Sequence, residues 1–138
     1  MELNEEEEYL QEIISLFIEH LFSGERSLSL FITDDYEIQL QNHKKRGHDR
    51  PTDILSWSYI DDDPNAEWIG DIMVSLDRVR EQAKENGWDI RTELVRLLAH
   101  GCAHLAGWDH KSSKEESKML YCEIEMLKKA GFHEVYNN

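Results

Sequence analysis

The run His100-Gly101-Cys102-Ala103-His104-Leu105-Ala106-Gly107-Trp108-Asp109-His110 constrains this chain more than any other stretch. Residues four apart share one face of a helix, so His100 and His104 point the same way, one turn apart. Gly107 takes a positive φ at little cost and stops the helix there. The chain then turns, and His110 can swing back towards the first two. Three imidazoles on a helix and the loop after it make a half-built tetrahedral cage. Three protein ligands is the usual count for a catalytic zinc, which keeps a fourth position open. The expected metal ligands are therefore His100, His104 and His110, with one zinc per chain.

The spacing is that of the metzincin signature, H-E-x-x-H-x-x-G-x-x-H, with one letter changed. Gly101 stands where those peptidases carry their general base. The change keeps the cage and removes the proton acceptor. A glycine inside a helix also costs about 1 kcal/mol relative to alanine, so either the metal surroundings or helix packing needs the space. A closed structural site would want a fourth ligand, often cysteine. Cys102 falls on the opposite side of the helix and reads as a small buried residue. Asp109 is either a fourth ligand or a group that orients His110.

A chain of 138 residues reads as one domain, 1–138, long enough to bury a core without staples. No apolar run approaches the length of a membrane span. Glu5 to Glu8 form an acidic row that resembles neither a signal nor a transit peptide. Two cysteines make no disulfide framework. A cytoplasmic location and no membrane partner are expected. The formal net charge of −14 argues against a generic nucleic-acid binder, and no DNA partner is expected. It does not exclude a local basic groove. Asn42 to Pro51 is the one place where cations cluster, and Gly47 and Pro51 mark it as a loop.

Hydrophobic periodicity predicts a helix over 5–22, through Leu10, Ile13, Ile14, Phe17 and Leu21. A strand follows over 27–32, then a helix from about 35 to 43 that Asp34 caps with Glu37 three residues on. Residues 52–60 read as a strand with Leu55, Trp57 and Tyr59 on one face. Residues 68–75 form a near-continuous apolar strand, expected to be central. Gly70 within it predicts a bulge or a close backbone approach. Ser75 caps a helix that ends at Asn86-Gly87. The histidine helix starts near Ile90 and packs through Leu94, Leu97, Leu98 and Leu105. Ser113 with Glu116 reads as a capping box for a last helix, closed by Gly131. The fold class is α+β: a layered α/β arrangement of one small mixed sheet, about five helices and a metzincin-like metal helix.

The histidine run resembles the H-G-x-L-H-L-x-G-Y-D-H signature of the YbeY family, bacterial rRNA maturation factors. Ala103 replaces the leucine and Trp108 the tyrosine. Asn42 to Ser56 is similar to the family's N-x-x-Y-R-x-K-D-x-P-T-D-V-L-S segment, with Lys45, His48 and Ile54 departing from it. Ile69-Gly70-Asp71-Ile72 is similar to its L-G-D-I strand. The resemblance implies an α/β fold, a zinc on the three histidines, and single-strand endoribonuclease activity in rRNA processing and ribosome quality control. It places the family arginine on Arg46. By analogy it implies rRNA and ribosome-associated proteins as partners, among them a small-subunit protein and the GTPase Era.

The chemistry is coherent without the family. A zinc ion can lower a water's pKa to roughly 7 or polarise a phosphoryl oxygen, so a glutamate base is dispensable. Phosphodiester cleavage needs charge stabilisation, and a guanidinium grips two phosphate oxygens at once. Arg46 and His100 are the candidate catalytic residues; Lys44, Lys45 and Arg50 are weaker tracking charges. His48 is either a leaving-group acid or a surface residue. A zinc-dependent endoribonuclease is the favoured function. A metallohydrolase of another bond, peptidases included, and a non-catalytic ribosome-binding module with a stabilising metal are the alternatives.

Overall fold

The apolar strand over 68–75 sits in the middle of a three-stranded mixed sheet. In this computed structural model, which describes residues 3–108, 112–133 and 135–136, the strand order is β1-β3-β2. The strands are β1 (Ser27–Thr33), β2 (Ile54–Ser58) and β3 (Trp68–Ser75). β1 runs parallel to β3, and β2 runs antiparallel to it. The five helices are α1 (Leu3–Leu21), α2 (Asp35–Arg46), α3 (Leu76–Asn86), α4 (Ile90–Leu105) and α5 (Ser113–Lys129). The expected α+β class is what forms, with one small mixed sheet and five helices among the described residues.

α4 is the hub. It lies on β2 and β3 and is flanked by α1, α3 and α5. Leu94, Val95, Leu97, Leu98, Cys102, Ala103 and Leu105 are all buried, so the helix is apolar on nearly every side, as a central helix must be. Leu94, Leu97, Leu98 and Leu105, through which the helix is expected to pack, are among them. Asp89 caps the start of α4 by accepting the Thr92 N–H at 2.8 Å.

Two glycines make this packing possible. A Cβ on Gly101 would stand 2.8 Å from Ile54 Cδ1 and 3.2 Å from Ile72 Cδ1. Of the two readings of Gly101, close approach of α4 to the sheet is the one with contacts behind it. A Cβ on Gly70 would lie 2.1 Å from the Trp57 carbonyl oxygen. At the same place β3 spends one more residue than β1, since Ser27 pairs with Trp68 and Ser29 with Asp71. Both the bulge and the close approach expected at Gly70 are present.

Several boundaries differ from expectation, three of them at the cationic stretch, the last helix and the second strand. α2 continues to Arg46, so Lys44, Lys45 and Arg46 are its last turn rather than loop residues. The helix end explains the extension: cations there meet the negative end of the helix dipole, and Gly47 at φ 73° closes the turn. The cap of α5 is Ser112, which accepts the Glu115 N–H at 3.1 Å, one residue before the expected Ser113 and Glu116. β2 is shorter than 52–60 because ladder pairing spans only Ile54 to Ser58.

Candidate active site

His100 and His104 occupy the last two turns of α4. Their Nε2 atoms face one another at 3.1 Å, and the rings are perpendicular, at 89°. The far side of each ring is held. His104 Nδ1 lies 2.9 Å from the Trp108 carbonyl, and a carbonyl can only accept, so this nitrogen carries the hydrogen. The backbone brings that carbonyl round through Gly107, at φ 101°, whose N–H donates to the His104 carbonyl at 3.0 Å. The expected glycine turn is therefore what orients the second histidine. His100 Nδ1 lies 3.0 Å from Oε2 of Glu123, a buried carboxylate on α5.

Two imidazole nitrogens on one tetrahedral ion, each about 2.0–2.1 Å away, stand roughly 3.3 Å apart. The observed 3.1 Å is close to that, so His100 and His104 could hold a metal as a pair. His110 and Asp109 lie outside the described residues. Among the described residues no third histidine, cysteine, aspartate or glutamate joins the pair to complete a cage. Cys102 faces the core, and burial pushes its thiol up to about 12, as suits a small apolar residue rather than a ligand.

The histidine pair opens into a cleft of about 790 Å³. Lys45 and Arg46, from the C-terminal turn of α2, line the same cleft as His100, His104 and Trp57. The ammonium of Lys45 sits 5.8 Å from the centre of the Trp57 ring, within cation–π range. The fold thus joins the two stretches that sequence singled out, 46 and 100 being far apart in the chain. Lys44, His48 and Arg50 do not line the cleft. Asp53 and Asp61 do, so its wall carries both signs.

Sequence reasoning missed Glu123 and what lies behind it. Tyr136 donates its hydroxyl to Glu123 Oε1 at 3.1 Å, and Arg96 Nη1 donates to the Tyr136 oxygen at 3.4 Å. Arg96 in turn grips the fully buried Glu93, which also accepts from Gln82 at 2.7 Å and Trp88 at 3.0 Å. The available signal was a glutamate on the apolar stripe of α5, among Met119, Cys122, Met126 and Leu127. A buried carboxylate needs a partner, but the sequence does not say which.

The family model for Endoribonuclease YbeY matches residues 1–131. Endoribonuclease YbeY of Persephonella marina is 36% identical over 115 residues, which cover 82% of this chain and 75% of that protein. The protein of the same name from Trichodesmium erythraeum is 40% identical over 118 residues, 79% of this chain but only 63% of its relative. The solution structure of TM1509 from Thermotoga maritima aligns with a TM-score of 0.56 at 27% identity, covering 99% of this chain and 88% of that one. The family resemblance that the histidine run and the 42–56 segment suggested thus extends over nearly the whole sequence, and the chain belongs to the Endoribonuclease YbeY family.

Proposed function

We propose that this protein is a zinc-dependent endoribonuclease that cuts single-stranded rRNA during maturation and ribosome quality control, in the cytoplasm and beside ribosome-associated proteins. The observation that carries the reading is the pair of histidine nitrogens turned toward one another at 3.1 Å, in a cleft that also receives Lys45 and Arg46. Family membership supplies the RNA substrate.

His100, His104 and His110 would hold the metal, which would supply Lewis acidity at neutral pH. The other roles fall to the chain itself. Arg46 presents a planar guanidinium that can take two phosphate oxygens and offset the charge that builds on them. Lys45 adds a second cation over the Trp57 ring, and an aromatic ring beside a cation is a usual platform for an unpaired base. Gly101 leaves no carboxylate on α4 next to the histidines, so a metzincin-type peptidase base is missing.

The test is elemental analysis joined to cleavage of single-stranded and duplex RNA. About one zinc per chain is expected, together with cleavage of the single strand that chelator abolishes and zinc restores. Replacing both His100 and His104 by alanine should remove zinc and cleavage together. Cleavage that continues in fully zinc-free protein would overturn the metal dependence; zinc-bound protein inactive on every RNA would overturn the nuclease reading.

A further inference from the structure

We propose that Glu123 is a positioning residue that fixes the tautomer of His100, and that the hydrogen-bond chain Arg96–Tyr136–Glu123 gives it the direction to do so. The argument follows the hydrogens. Arg96 has five donors and no acceptor. Its Nη1 donates to the Tyr136 oxygen at 3.4 Å, so the Tyr136 hydroxyl hydrogen must go elsewhere, and Glu123 Oε1 at 3.1 Å receives it. That leaves Oε2 to face His100 Nδ1 at 3.0 Å. With Glu123 as a carboxylate, both its oxygens accept, and the histidine must bring the hydrogen. His100 is then an Nδ1–H tautomer, with the lone pair of Nε2 turned to the space between the two rings, where Nε2 of His104 stands 3.1 Å away.

Each link in the chain is held. Arg96 is locked against Glu93, which has no exposed surface and is itself held by Gln82 and Trp88. Burial and the Glu123 carboxylate push the Tyr136 hydroxyl up to about 12, so it remains a donor at neutral pH. Glu123 is 3% exposed and has no water-side alternative. The same carboxylate thus ties α5 and Tyr136 to the histidine pair on α4. An outer partner that fixes ring and tautomer in this way typically accounts for 10–100-fold in metal affinity. That consequence rests on His100 being a metal ligand; the tautomer itself does not.

The discriminating variant is Glu123→Gln, which has the same shape but one acceptor and one donor end. Tyr136 still donates, so it claims the amide oxygen. The amide NH2 then faces His100 Nδ1, which must accept, and the hydrogen moves to Nε2. Adding Tyr136→Phe releases the amide to turn its oxygen towards His100. Tautomers are read from the imidazole nitrogen shifts in long-range 1H–15N spectra of metal-free protein, at a pH about two units above the ordinary imidazole value. Zinc dissociation constants come from chelator competition.

The expected pattern is Nδ1–H for His100 in the wild type, Nε2–H in Glu123→Gln, and Nδ1–H again in the double variant. Zinc binding should weaken by roughly 10–100-fold in the single variant and recover in the double one. A wild type that shows the Nε2–H tautomer overturns the proposal, and that spectrum decides the matter even if Glu123→Gln does not fold. A folded Glu123→Gln protein with the wild-type tautomer and unchanged zinc affinity also overturns it, while leaving the metal reading intact. The expected tautomers in a wild type that binds no zinc would support the positioning role and sink the metal reading instead.

Discussion

Arg46 and Gly101 carry the two residue-scale arguments that can be tested by single substitutions. Arg46 is exposed at the end of α2 and lines the cleft without supporting the fold. Arg46→Ala should therefore lose roughly 100-fold in RNA turnover, by analogy with removal of one preorganised donor to a developing oxyanion. Arg46→Lys keeps the charge but loses the two-pronged grip, and should retain part of the activity. Zinc content and melting temperature should stay at wild-type values in both; two variants that cleave at the wild-type rate would take Arg46 out of the active site. Gly101→Glu restores the lettering of the metzincin signature. A Cβ there begins 2.8 Å from Ile54 Cδ1 and 3.2 Å from Ile72 Cδ1, so the ends of both isoleucines must shift to admit the new side chain. A lower melting temperature and no peptide cleavage are expected. Zinc-dependent peptidase activity in that variant would revive the peptidase alternative.

At the scale of elements, α4 carries both the core and the site, so damage to one should reach the other. Leu98 has no exposed surface, and Leu98→Ala should cost about 2–5 kcal/mol in denaturant melts. A loss below about half a kcal/mol would mean that this face is not packed as described. Elements with dense local signals were legible in the sequence. β3 has its expected ends because Gly70 lies inside one apolar run and Ser75 caps the next helix. α4 was legible from its leucines and from the histidine spacing. The errors lie where two local signals compete. Ser112 and Ser113 each stand three residues before a glutamate, and the sequence alone does not choose between them. Gly47 marks a helix end as readily as a loop, and here it ends α2 after the cations rather than before them. The link from His100 to Glu123 was not legible at all, because it joins two helices through a contact 23 residues apart. Periodicity reports which face is buried, not which neighbour it meets.

At the scale of the whole molecule, a chain of formal net charge −14 is asked to bind a polyanion. The fold offers a local answer. It brings Lys45 and Arg46 to the cleft, while Lys44 and Arg50 stay outside it. RNA should then be gripped at few phosphates, with the rest of the surface repelling it. Counterion release makes that measurable, since for single strands the slope of log K against log salt is about −0.7 per phosphate neutralised. Two cleft cations predict a slope of about −1.4 for a short single-stranded RNA, measured by fluorescence anisotropy across a salt series. Lys45→Ala should lower its magnitude by about 0.7. Arg50→Ala, outside the cleft, should leave the slope unchanged. A wild-type slope of about −5 or steeper would mean that RNA tracks a much longer basic path than the cleft provides. A slope that Lys45→Ala does not change would mean that phosphate binds away from the histidine pair. Either result would separate the RNA-binding surface from the cleft in which Arg46 and the histidines meet.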